Sequence, residues 1–351
     1  MISLLRGEKG AEDSEFPEDW VGSTVQARNP GGHFREGEGL ALIDSASGEP
    51  VTLRSVLEAF PEEMLGPAHV REFGTNAALL VKVLDAAVRL TIHAHPTKAF
   101  ASEHLGSCFG KTEAWFVLGT RPGVEDPSVF IAFNDDVSRA RYRAMLDKQD
   151  IASMLGVMHR VPVKAGDVVY VRAGLPHAIG GGVFMVELQE PTDFSIMLER
   201  SAPNYTFDHR ESFLGLDESL VLSVIDHRVY TAEDVRRELL IRPRILRTEG
   251  LSSESELLGY DTTECFAGRR LDVTGEMAGD TEGRYALLIV LDGEGVMMHR
   301  GGETPLRRGA ALFVPASVGV HAFRSERGMS IFKSLPAGVR VNRSTDERRT
   351  P

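Results

Sequence analysis

Cysteine is scarce in this sequence: only Cys108 and Cys265 occur among 351 residues. Two distant thiols make no disulfide framework, and reduced cysteines fit a cytoplasmic chain. Long apolar runs are missing as well. No stretch reaches the roughly 20 residues a membrane-spanning helix needs, and residues 1–10 hold no apolar segment long enough for a signal peptide. The expected setting is therefore the cytoplasm, with no membrane partner. A basic stripe is also lacking, and the net charge is -12 with a pI near 5.5. Nucleic-acid binding draws on clustered Lys and Arg, so no nucleic-acid partner is expected. A small anionic substrate stays compatible, because a local cationic pocket can sit inside an acidic protein. The charge-rich run 236–247 reads as the solvated face of a helix.

What the chain does have is turn formers and alternation. Its 35 glycines and 17 prolines point to many turns, as an all-β architecture requires. Residues up to about Asp19 are acidic and Gly-rich and read as a loosely ordered lead-in. Leu53, Val56, Leu57 and Phe60 recur at helical spacing after Thr52, and Pro61 stops the pattern. Residues 77–94 read as extended, with Leu84, Ala86, Val88, Leu90 and Ile92 on one face. Further strands are expected over 114–118, 129–133, 168–171 and 183–188. A helical insertion is expected around 136–158, with Ile151, Met154, Leu155 and Met158 on one face. Thr231 and Asp234 predict a helix-starting capping box. From Gly259 the chain is again β-like, with strands over 285–291 and 309–315.

The expected organisation is mainly β, as two related barrels. An N-terminal unit over 1–215 carries the chemistry, 216–258 is a helical connection, and 259–345 is a smaller C-terminal unit. Style is common to both halves: strand, glycine turn, then a strand ending in a proline or glycine corner.

The chemistry centres on histidine. His93 and His95 stand two residues apart at the end of a strand, so both imidazoles project from one face. Glu113 arrives on the next strand. His177 follows a glycine corner in which Gly166, Gly174 and His177 keep the spacing of the second cupin motif, with Arg172 where that motif has proline. Three imidazoles and one carboxylate suit zinc, and also iron, manganese or nickel. His69, His104, His159 and His321 match no such pattern and read as structural. The later half has no His-x-His and no matching glutamate, so it is expected to be metal-free.

Four blocks together resemble the type I mannose-6-phosphate isomerases, which are zinc-dependent cupins. They are Leu-Thr-Ile-His-Ala-His-Pro over 90–96, Gly-Lys-Thr-Glu-Ala-Trp over 110–115, Gly-Leu-Pro-His-Ala-Ile-Gly over 174–180, and Glu-Leu-Gln-Glu-Pro-Thr-Asp over 187–193. The resemblance implies a jelly-roll (cupin) fold in both halves and His95, Glu113 and His177 as zinc ligands. It places Lys111 beside the substrate, a hexose phosphate. His93 stands where the family commonly has glutamine. Met197 stands where the family has an arginine that assists catalysis, and Arg200, three residues on, is the nearest candidate to take its place.

Aldose–ketose isomerisation needs a base to move a proton between adjacent carbons and a positive centre for the sugar oxygens. Lys111 supplies charge or shuttles a proton, and Glu187 is the first candidate for the base. Two other readings fit the same residues. A three-His, one-Glu cupin can hold a redox metal and act as a dioxygenase-like oxidoreductase. A cupin without the family arginine can bind a sugar without turning it over.

Overall fold

A computed structural model describes residues 1–5, 18–28, 35–43, 48–135, 137–202 and 205–338. Three expectations fall partly outside them: the bulk of the acidic lead-in, the start of the helical insertion at Asp136, and the end of the C-terminal unit after residue 338.

The first part of the chain builds two antiparallel sheets face to face. One has six strands in the order Glu18–Val21, Leu80–Ala86, Val183–Gln189, Glu113–Thr120, Val168–Val171 and Leu240–Ile241. The other has five, in the order Ile196–Met197, His93–Ala94, His177–Ile179, Ser128–Phe133 and Met158–Pro162. Between them Leu84, Trp115, Val117, Ile131, Val169, Val171 and Met185 form a dry core. The central strands Leu80–Ala86 and Val183–Gln189 are buried at every residue, so both their faces are covered. This is why they read as near-continuous apolar runs.

The coverings are those the sequence points to. Thr52 caps the helix Leu53–Ala59 by accepting a bond from the Ser55 amide, and Leu53 and Leu57 pack onto the six-stranded sheet. Pro61 stops that helix and opens the next, Pro61–Leu65, at its first turn. Helices Arg139–Lys148 and Ile151–Gly156 cover the outer face of the five-stranded sheet, burying Tyr142, Leu146 and Met154 against Ile92, Phe133 and Ala178.

The later part forms a seven-stranded antiparallel sheet from Arg244–Glu249 to Val320–Leu335, with its own core around Leu271, Leu288, Phe323 and Ile331. Its Leu287, Ile289 and Phe332 join Phe116, Val186 and Leu188 of the six-stranded sheet in a shared core. Ring contact between Phe116 and Phe332, 4.8 Å between centroids, marks that junction.

Several expected boundaries move. The later sheet begins at Arg244, not at Gly259, because the strands Arg244–Glu249 and Ser252–Leu258 already belong to it. The run 236–247 is helical only in its first part. Beyond it, Leu240–Ile241 is a half-buried strand of the six-stranded sheet, and Arg244–Glu249 is a fully exposed edge strand of the later one, whose Arg and Glu residues show no alternation to read. The capping box of Thr231 and Asp234 is present, as expected. Residues 77–94 are not one strand either. The chain leaves the six-stranded sheet after Ala86, exposes Val88, and enters the other sheet at His93. At the edge of the lead-in, Glu18–Val21 is a paired strand that sets Trp20 opposite Lys82.

Candidate metal centre

Crossing from one sheet to the other carries the histidines to the centre. His93 and His177 are direct cross-strand partners. His95 follows two residues after His93, and the rings of His93, His95 and His177 lie 4.3 to 4.9 Å apart between centroids. The ligating atoms of the three imidazoles fall within 4.8 Å of one another. Glu113 enters from the facing six-stranded sheet, with Oε1 3.0 Å from His95 Nε2 and Oε2 3.7 Å from His177 Nε2.

Each ring is fixed by a backbone carbonyl. Nδ1 of His93, His95 and His177 lies 2.8 Å from the carbonyl oxygens of Thr91, Phe194 and Leu175 respectively. A neutral ring that donates from Nδ1 presents an unprotonated Nε2 inward, which is the arrangement metal-binding imidazoles adopt. Burial is the main cause that pushes all three down to about 3, so all are neutral at pH 7. For Glu113, burial works toward protonation, but the neighbouring imidazole of His95 and the Lys111 ammonium, 3.0 Å away, outweigh it and hold the carboxyl well below the usual range.

Two fully buried atoms in this cluster have no hydrogen-bond partner: His177 Nε2 and Glu113 Oε2. Orphaned buried acceptors cost about 1–3 kcal/mol each. Both point at the same space, and a divalent cation satisfies both at once. His93, His95, Glu113 and His177 therefore fit a metal, and the donor set of three nitrogens and one carboxylate suits a first-row transition ion.

Lys111 is at the site. Its Nζ lies 3.0 Å from Glu113 Oε1, 3.4 Å from His95 Nε2 and 3.3 Å from Ser195 Oγ. Glu187 lies one strand over, buried, accepting a 2.9 Å hydrogen bond from Trp115 Nε1. The Trp115 ring in turn packs edge-on against His177 at 5.4 Å. Burial first, and the charge of Glu113 second, raise Glu187 to about 8.

Arg200 is not at the site. Its guanidinium donates to the Leu146 carbonyl at 3.1 Å, and its amide donates to Gln149 Oε1 at 2.7 Å. It ties the chain to the end of the covering helix, because three residues beyond Met197 the side chain leaves the face that Met197 shares with His93. Met197 itself is the cross-strand partner of His93.

Lys82 went unnoticed in the sequence. It sits in the fully buried strand Leu80–Ala86, 3.1 Å from Glu18 and 3.9 Å from Glu187, with its ammonium over the Trp20 ring. Burial opposes its charge, but Glu18 and Glu187 overcome that and hold its pKa above normal. Two charged residues, Lys82 and Asp85, in a strand otherwise apolar were the available signal.

A cavity of about 960 Å³ lies beside the centre; none of the four candidate ligands lines it, but Ser195, which meets Lys111, and Met197, the cross-strand partner of His93, do. Ser195 and Met197 form its inner wall, and Glu18, Trp20, Arg28, Phe207 and Arg210 line it farther out. Ligand sites run to roughly 300–1,000 Å³, so a hexose phosphate fits easily.

Comparison with known proteins agrees with this geometry. A family model described as mannose-6-phosphate isomerase, cupin domain, matches residues 257–330, in the later sheet. A mannose-6-phosphate isomerase of Streptococcus mutans is 28% identical over 291 residues, covering 80% of this chain and 83% of that protein. A Bacillus subtilis mannose-6-phosphate isomerase is 25% identical over 293 residues, covering 81% and 85%. Among solved structures, a mannose 6-phosphate isomerase from Bacillus subtilis superposes with TM-score 0.73 at 20% identity, covering 95% of this chain and 94% of that one. A putative mannosephosphate isomerase from Archaeoglobus fulgidus gives TM-score 0.70 at 20% identity, covering 96% and 92%. These likenesses establish the cupin fold for the whole chain.

Proposed function

We propose that this chain, a member of the type I mannose-6-phosphate isomerase cupin family, interconverts mannose 6-phosphate and fructose 6-phosphate. The observation that carries the reading is the cluster of His93, His95 and His177 with Glu113 against it, in which His177 Nε2 and Glu113 Oε2 are buried without hydrogen-bond partners, beside a sugar-sized cavity. Those four residues hold a divalent metal, zinc in the first instance, with manganese, iron or nickel as the other fits. When bound, the ion supplies Lewis-acid stabilisation of negative charge on the sugar oxygens.

The remaining work falls to protein groups. Lys111 reaches both Glu113 and the cavity residue Ser195, so its ammonium is placed to meet a sugar oxygen or pass a proton. We assign the base to Glu187, whose raised pKa of about 8 suits proton transfer near neutrality. Trp115 and Lys82 hold that carboxyl in place from two sides. The N-terminal part of the chain carries the reaction, and the later sheet, metal-free, backs the six-stranded sheet through their shared core. No helix of the described residues is long and apolar enough to cross a membrane.

The three-imidazole set also suits a redox metal, so metal identity belongs in the test. Metal content by mass spectrometry should be measured with conversion of mannose 6-phosphate before chelation, after it, and after zinc is restored. Zinc near one per chain with chelation-sensitive, oxygen-independent conversion supports the reading. A redox metal with oxygen uptake, or sugar binding without turnover, contradicts it.

A further inference from the structure

The cavity outside the metal centre is lined by five carboxylates, Glu18, Asp19, Glu38, Asp193 and Glu211, and among the described residues by two cations, Arg28 and Arg210. The balance looks hostile to an anion until partners are assigned. Glu18 is held by Lys82 at 3.1 Å and by the Trp20 indole at 2.8 Å. Glu211 accepts from Tyr205 Oη at 2.7 Å and from the Asp208 amide at 2.9 Å, inside its helix capping box. Asp193 accepts the Arg28 backbone amide at 2.8 Å, Asp19 is also engaged, and Glu38 alone keeps a buried carboxylate oxygen without a hydrogen-bond partner among the described residues. The two guanidinium groups, by contrast, have no hydrogen-bond or ion-pair partner among the described residues.

Arg28 is also placed. Its amide is fixed by Asp193, and its guanidinium lies over the Phe194 ring, 4.9 Å from the centroid. The carbonyl of that same Phe194 orients His95, and the next residue, Ser195, meets Lys111. One three-residue segment thus couples the metal ligands on its inner side to a positioned arginine on its outer side. Arg210 lines the same space from the helix His209–Ser212. Planar guanidinium forks are suited to two-pronged recognition of phosphate oxygens.

We propose that Arg28 and Arg210 form the phosphoryl subsite of this cavity, holding the far end of a hexose phosphate whose reacting end lies at the metal centre. The inference rests on the isomerase reading for the identity of the sugar. The wall carboxylates are left to accept sugar hydroxyls, and the two arginines set the preference for a phosphorylated over a free hexose.

The test is calorimetric binding of mannitol 1-phosphate, which cannot isomerise, to the metal-loaded protein, with mannitol as the uncharged control. Arg28→Gln and Arg210→Gln each should weaken the phosphorylated probe about tenfold and together about a hundredfold, as expected for losing charge-assisted hydrogen bonds. Arg210→Lys should recover part of the loss. Metal content and melting temperature should stay at the native level, because both side chains are exposed. In turnover assays KM should rise with little change in kcat. Native-like affinity in the double variant, or no binding of the probe to native protein, overturns the proposal. Arginine-dependent binding without any isomerisation would instead overturn the assigned reaction and leave the subsite standing.

Discussion

His177 and His321 sit at corresponding corners of the two β-rich parts of the chain. Each follows a glycine corner, and each ring has Nδ1 2.8 Å from the carbonyl two residues back, that of Leu175 or Gly319. Locally they are alike. Across the ladder they differ. His177 is paired with His93 on one side and Ile131 on the other, whereas the residue paired with His321 is Gly279. A Cβ on Gly279 would lie 2.5 Å from His321 Nε2, so the imidazole occupies the space where a second ligand side chain would stand. Near it, Lys333 and Arg284 line a void of about 10 Å³, room for one water at most. A corner alone positions one imidazole; cross-strand partners decide whether it becomes a ligand.

The comparison can be broken by exchanging what each corner depends on. The largest effect should come from His177→Ala or His95→Ala. Either should empty the metal centre and lower kcat/KM by about 10³-fold or more, since Lewis-acid stabilisation is worth several kcal/mol. His321→Ala should leave metal content and kcat unchanged. Finding that His321→Ala strips the metal would show the two corners to be functionally linked.

Next in size is Glu187→Gln, expected to lower kcat by about 10²–10⁴-fold with metal retained, the usual range for a lost general base. Retention of kcat in that variant would move the proton transfer elsewhere, with Lys111 first in line. Glu187→Gln also removes an acid without altering shape, so its melting temperature separates catalytic from structural loss.

Gly279→Ala should cost about 1–3 kcal/mol by overpacking against His321, read from denaturant unfolding. Pairing it with His321→Ala should restore most of that loss. Additive costs in the double variant would mean the glycine is required for some other reason.

The smallest and most diffuse effect is on pH. His93, His95 and His177 fall from 6.5 unfolded to about 3 folded. Between those values the unfolded chain binds more protons, so the metal-free protein should lose stability as pH falls from 6.5 toward 3. Glu187 has the opposite sign: its raised pKa gives stability below 4.5 that is lost as pH rises through about 8. Metal-free Glu187→Gln should therefore flatten the alkaline side of the profile and leave the acid side intact.

The histidine cluster was legible because strand alternation and a glycine corner are local, and those bring His93, His95 and His177 together. Glu113 was found through the sequence block around it and not through strand register: it stands on the facing sheet, paired with Gln189 and Val171, not with either histidine strand. Arg200 was misplaced. Its offset of three from Met197 already turns it off the face shared with His93, and only the helix end that receives it, Leu146 and Gln149, is a contact the spacing does not encode. Lys82, Arg28 and Arg210 depend on long-range pairing, Lys82 with Glu187 and Arg28 with Asp193 and Phe194. The edge strand Arg244–Glu249 was hidden by charge on both faces. Alternation speaks only where one face is buried.

The most direct test of the central claim is zinc stoichiometry and mannose 6-phosphate turnover measured on one preparation of native protein and of His177→Ala. The account predicts about one metal ion per native chain, turnover abolished by chelation and recovered with zinc, and neither metal nor turnover in the variant. Native protein that isomerises fully after its metal has been removed would contradict it.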